Sequence, residues 1–169
     1  MNRSSVEAIV AALNEAGVRY LVVGGLAVVA HGHVRFTADL DLIVDFDESN
    51  LARALAVFKG LGYLPRAPVK LEQFADAGQR SAWIRDKGLT VFSMYSDLHQ
   101  ATEIDLFVED PLGFDEAYLR AVTMEVAPGI DATIVGIDDL IRLKRSAGRP
   151  QDLADIERLE QFRLEPSDG

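Results

Sequence analysis

Residues 24–44 read GGLAVVAHGHVRFTADLDLIV, and the rest of the chain is best read outward from this stretch. It opens on a glycine pair and closes on Asp39-Leu40-Asp41-Leu42, an alternation with the period of two that a strand has. Side chains two apart on a strand share a face, so Asp39 and Asp41 project together while Leu40 and Leu42 go to the other side. Two carboxylates held that close repel, and one takes up a proton unless a cation lies between them. Mg²⁺ suits such a pair, because it uses one or two carboxylates and fills its octahedron with water and phosphate oxygens. An isolated Asp-x-Asp also occurs on ordinary exposed strands. Here, however, residues 18–23 (VRYLVV) read as a buried strand leading directly into Gly24-Gly25, and Leu26 to His31 as a short helix stopped at Gly32. Glycine at such a turn lets backbone N–H groups approach a phosphate, and the helix start adds a favourable dipole.

Upstream, Ser4-Ser5-Val6-Glu7 has the form of a capping box opening an amphipathic helix through Val6, Ile9, Val10 and Leu13, with Gly17 as its stop. Downstream, a helix capped near Asp47 or Ser49 carries Leu51, Ala54, Leu55, Phe58 and Leu61 inward and ends at Gly62. Residues 63–87 are punctuated by Pro65 and Pro68, and Gln79 to Arg85 read as strand or irregular chain. Strands are expected at 89–95 and 103–108, a short helix around 114–121, and a hairpin from 122–127 and 131–135 across Pro128-Gly129. Two helices close the chain: one from Asp138 or Asp139 to about Ser146, the other over 151–162 behind Pro150. The expected class is α/β (α+β), a mixed β-sheet with flanking helices and a helical C-terminus. A single domain over residues 1–164 is expected, with 165–169 a disordered tail.

Composition narrows the function. The absence of cysteine excludes disulfides and thiolate metal sites. No apolar run is long enough for a membrane span and the N-terminal stretch is unlike a signal peptide, so a cytoplasmic location without membrane partners is expected. A net charge of −10 argues against broad non-specific nucleic-acid binding. Against that background Arg142, Lys144, Arg145 and Arg149 crowd into one segment, either as a local basic site or as a solvated helix face.

Val23-Gly24-Gly25 followed by Asp39-Leu40-Asp41-Leu42 resembles, in residue type and spacing, the signature of the DNA polymerase β-like nucleotidyltransferase superfamily. Ala27, His31-Gly32, Arg35 and Thr37, with Asp139-Leu140, Lys144, Gly148-Arg149-Pro150 and Asp152-Leu153, resemble more narrowly the small bacterial nucleotidyltransferases related to AbiEii toxins. The signature covers about a fifth of the chain, and residues 60–90 match no known pattern. The resemblance implies a nucleotidyltransferase fold, Mg²⁺ (or Mn²⁺) and a nucleoside triphosphate such as ATP. It also implies an acceptor hydroxyl on RNA, protein or a small molecule, and an antitoxin protein as a partner. A catalytically silent binding module of the same fold is the alternative.

By the same resemblance Asp39, Asp41 and a third carboxylate on a neighbouring strand hold the metal, and the third also deprotonates the acceptor. Asp105, between apolar Ile104 and Leu106, is the first choice and Glu103 the second; a plain strand-edge charge is the alternative. Gly24 and Gly25 are expected to cradle phosphate. Arg35 and Thr37 lie close enough to share the pocket, with Arg35 either clamping phosphate or pairing with the aspartates. Lys144 is expected to bind triphosphate from the C-terminal helix, unless it is a surface lysine, and Asp152 to favour its helix N-terminus. His31, His33 and His99 make no zinc site, and Trp83 and Tyr95 read as core or pocket wall.

Overall fold

A computed structural model describes residues 1–165, so all but Glu165 of the expected tail lies outside the described residues. Its helices are α1 (Arg3–Glu15), α2 (Gly24–Ala30), α3 (Glu48–Gly60), α4 (Ala77–Lys87), α5 (Phe114–Leu119), α6 (Ile137–Ala147) and α7 (Pro150–Leu164). Its strands are β1 (Tyr20–Val23), β2 (Asp39–Val44), β3 (Tyr63–Pro65), β4 (Val91–Ser96), β5 (Glu103–Phe107), β6 (Val122–Ala127) and β7 (Ile130–Ile134). The strands form one mixed sheet in the order β3-β4-β5-β2-β1-β7-β6. β2 runs parallel to β5 and antiparallel to β1, which places the aspartate-bearing strand at the centre.

The alternation along the strands separates core from site. Leu40, Leu42, Phe92, Met94, Ile104 and Leu106 are buried, whereas Asp39, Asp41, Ser93, Tyr95, Glu103 and Asp105 remain partly open. The polar face of β4, β5 and β2 is thus left accessible while the apolar face is sealed by the core. α3 shows how local signals place a helix. The Asp47 side chain accepts from the Asn50 N–H at 3.1 Å, and Leu51, Ala54, Leu55 and Phe58 turn inward. Burying Phe58 contributes about 2–3 kcal/mol. Among the described residues no helix is long and apolar enough to cross a membrane.

Two expectations are corrected. α1 is capped by Asn2, whose side chain accepts from the Ser4 N–H at 2.9 Å, and not by a Ser4 capping box. Ser5 turns instead to His99, its hydroxyl 2.9 Å from Nδ1. Gln79 to Arg85 is neither strand nor irregular: it lies within α4, opened by Asp76 accepting from the Gln79 N–H at 3.0 Å and closed at Gly88. This helix lacks an apolar stripe because only Arg80 and Trp83 are buried. Arg80 lies over the Phe46 ring at 4.3 Å and Trp83 stacks on Phe92 at 5.3 Å, so a cation takes a place that a leucine ordinarily fills.

Candidate active site

β1 ends at Val23 and the chain turns into α2 at Gly24, which has φ of +65°. A side chain is excluded there for a second reason: a Cβ on Gly24 would lie 2.0 Å from Asp41 Oδ2. A Cβ on Gly25 would lie 2.3 Å from Thr37 Oγ1. The glycine pair is therefore the only dipeptide that lets the turn lie flush against both Asp41 and Thr37.

The strand register gathers the carboxylates. Asp41 stands opposite Asp105 across the parallel β2–β5 pair, and Asp39 stands opposite Glu103. On β4, Ser93 faces Asp105 and its hydroxyl donates to Asp105 Oδ1 at 2.6 Å. Glu103 is ion-paired with Arg66, whereas Asp105 has no cationic partner among the described residues. Burial pushes Asp41 up to about 7 from its ordinary 3.8, and the charges of Asp105 and Asp39 add to the effect. Burial, then Asp105 and Glu103, raise Asp39 as well.

The donor set fits a divalent cation. A carboxylate forced towards neutrality by burial, and further by two others, is relieved when a cation joins it. Among the described residues no three acidic or imidazole side chains converge to hold an ion by themselves. Two carboxylates completed by water and phosphate is the arrangement Mg²⁺ adopts.

The cations come from the last two helices. Lys144 on α6 is buried, 3.0 Å from Asp155 Oδ2 and 3.4 Å from Asp152 Oδ1. Arg149 reaches Asp152 Oδ2 at 2.8 Å yet leaves its side chain 76% exposed. Arg35 is held by Asp155, its Nε and Nη2 donating to the two carboxylate oxygens at 2.9 and 2.8 Å. Its partner is thus a helix α7 carboxylate, not the Asp39–Asp41 cluster. Burial alone would push Asp155 up, but hydrogen bonds from Arg35 and Lys144 outweigh it and hold the carboxyl below its ordinary value. Asp155, Ser93 and Phe36 are site residues that the sequence reading did not single out.

Gly24, Gly25, Thr37, Asp39, Asp41, Lys144 and Arg149 line one cleft of about 310 Å³. A larger cleft of about 400 Å³ lies elsewhere, lined by Val44, Asp45, Asp110 and Phe114, and its acids Asp45 and Asp115 are bridged by Arg19. Size does not decide between them; the unneutralised carboxylates beside a glycine turn do.

The raised Asp41 carries a pH signature. The folded protein keeps a proton that the unfolded chain releases between pH 3.8 and about 7. The associated stability is full below that window and gone above it, with a slope approaching 1.4 kcal/mol per pH unit, about one proton's worth. Asp41→Asn should flatten the decline and leave the metal-free protein about 1–2 kcal/mol more stable at neutral pH. Urea unfolding across this range checks it; an unchanged slope, or a variant that does not fold, would assign Asp41 a structural role.

No protein-family model and no curated protein sequence matches the chain. Solved structures do. The lincosamide antibiotic adenylyltransferase LnuA, bound to lincomycin, superposes with a TM-score of 0.62 at 12% identity, over 96% of this chain and 98% of that one. The antibiotic-resistance factor ANT(2'')-Ia in solution gives 0.58 at 15% identity, over 96% and 84%. ANT(2'')-Ia in complex with adenylyl-2''-tobramycin gives 0.55 at 16% identity, over 96% and 94%. The chain has the fold of these nucleotidyltransferases, as the resemblance carried by Gly24-Gly25 and Asp39-Leu40-Asp41 implied. The likeness does not extend to the narrower toxin resemblance.

Proposed function

We propose that the protein is a divalent-metal-dependent nucleotidyltransferase, transferring a nucleotidyl group from a nucleoside triphosphate to a hydroxyl on a small molecule. The observation that carries this reading is Asp41, half-buried against Gly24 and flanked by Asp39 and by Asp105 on the neighbouring strand, with Asp39 and Asp41 lining the same cleft as Lys144 and Arg149. Asp39 and Asp41 would hold Mg²⁺ or Mn²⁺, which supplies neutralisation of the phosphate charge. The N–H groups of the glycine turn and the cations Lys144 and Arg149 bind the triphosphate. Asp105 takes the proton of the acceptor hydroxyl through Oδ2, since Oδ1 is occupied by Ser93. The acceptor oxygen forms a bond to the α-phosphorus as the bond to pyrophosphate breaks in line.

A small-molecule acceptor is favoured over RNA by the net charge of −10 and by the antibiotic adenylyltransferases that share the fold. The toxin–antitoxin reading, with a protein or RNA acceptor and an antitoxin partner, rests on sequence resemblance alone. A cytoplasmic location belongs to the proposal.

Calorimetry tests it. Triphosphate and Mg²⁺ should bind together, each tightening the other, because the carboxylates need counter-charge and the metal needs phosphate oxygens. Equal triphosphate affinity with and without metal would overturn the shared site.

A further inference from the structure

Residues 31–38, between α2 and β2, have side chains alternately tied down and released. Arg35 is held by Asp155 and Thr37 sits against Gly25. Between and before them, Phe36 and Val34 are 81% and 85% exposed. An apolar ring left open to this degree forgoes the largest hydrophobic gain its side chain offers. The backbone beneath it is fixed: the Phe36 carbonyl accepts from Arg35 Nη1 at 2.8 Å, while the rest of that guanidinium is anchored on fully buried Asp155. The ring therefore stands on a rigid mount.

Phe36 is also part of the wall of the cleft that holds Gly24, Asp41, Lys144 and Arg149, and it is the one aromatic residue in that wall among the described residues. The remaining lining is glycine, alanine and polar or charged groups, which suit phosphate and metal. A nucleotide has one flat apolar part, and this cleft has one flat apolar side chain to meet it.

We propose that Phe36 is the platform on which the base of the bound nucleoside triphosphate stacks. The inference rests on the nucleotide-binding reading above and deepens it. Every base has a π-face, so a lone ring confers affinity with little choice among bases, and ATP and GTP should bind comparably. Val34, outside the cleft wall, has no part in this contact.

The test compares α,β-methylene-ATP with tripolyphosphate, both with Mg²⁺, on the wild type, Phe36→Ala and Phe36→Trp. Loss of stacking in Phe36→Ala should weaken the nucleotide analogue by about 10-fold or more. Tripolyphosphate should bind that variant as it binds the wild type, since it has no base. Phe36→Trp should retain the nucleotide analogue, and its added indole emission should be quenched by the analogue and not by tripolyphosphate. Unchanged analogue affinity in Phe36→Ala, or equal losses for both ligands, would overturn the platform while leaving nucleotide binding standing. A wild type that binds neither ligand would overturn the nucleotide reading and this inference with it. The exposed position of Phe36 keeps the fold out of the comparison.

Discussion

Asp105→Asn will keep most of the wild-type triphosphate affinity and lose about 100-fold or more in turnover. The separation follows from where the carboxylates stand. Asp39 and Asp41 lie on β2 beside the glycine turn, so the metal and triphosphate of the proposed site keep their ligands when Asp105 becomes an amide. What the variant loses is the oxygen that accepts the acceptor proton, a group needed only as the new bond forms. An interaction made only in the transition state lowers kcat and kcat/KM together. Glu103→Gln is the control: this carboxylate shares the face of Asp105 but is paired with Arg66, and turnover should change little. A Glu103→Gln variant without activity beside a fully active Asp105→Asn would exchange their roles. If neither matters, the base lies elsewhere.

Asp155→Ala should cost about 3–5 kcal/mol of stability, the largest effect on folding expected of any single change among the charged residues around the cleft. Asp155 is fully buried and holds two cations, Arg35 at 2.8 Å and Lys144 at 3.0 Å. Truncation leaves both in a poorly solvated place with too little negative charge, because Asp152 is already shared with Arg149. For a domain of this size a loss of that order lowers the melting temperature by about 10 °C. Removing Arg35 as well should restore part of it, since the double variant has one orphaned charge fewer. Chemical unfolding of the two single variants and the double decides the point. A cost below about 1 kcal/mol for Asp155→Ala would mean that water or a side-chain shift already screens the network.

How far the sequence alone carried the fold follows from the kind of signal each element has. β2 was legible because aspartate and leucine alternate without interruption, and α3 because a cap, an apolar stripe and a glycine stop coincide. α4 was not, since its inward positions are Arg80 and Trp83 and its apolar period is absent; only its ends, Asp76 and Gly88, mark a helix. In the cleft wall, Gly24, Gly25, Asp39 and Asp41 stand together as their spacing implied, but the partner of Arg35 did not show. Asp155 is 120 residues away, and no local pattern connects the two. A signal was nevertheless present. On α7 the buried positions are Asp152, Asp155, Ile156 and Leu159, so two aspartates occupy phases of the helix that an apolar stripe would fill. A carboxylate in a core phase implies a buried cation opposite it.

The same long reach governs the order in which the protein can be made. β2 and the glycine turn leave the ribosome early, yet the charges that complete their cleft come from α6 and α7, the final elements of the described chain. Until those helices emerge and dock, Arg35 lacks its anchor, the loop carrying Phe36 has no mount and Lys144 does not exist. A nascent chain therefore presents its strands before the proposed nucleotide cleft is complete, and a ligand of that cleft can reward only a fold that includes α6 and α7.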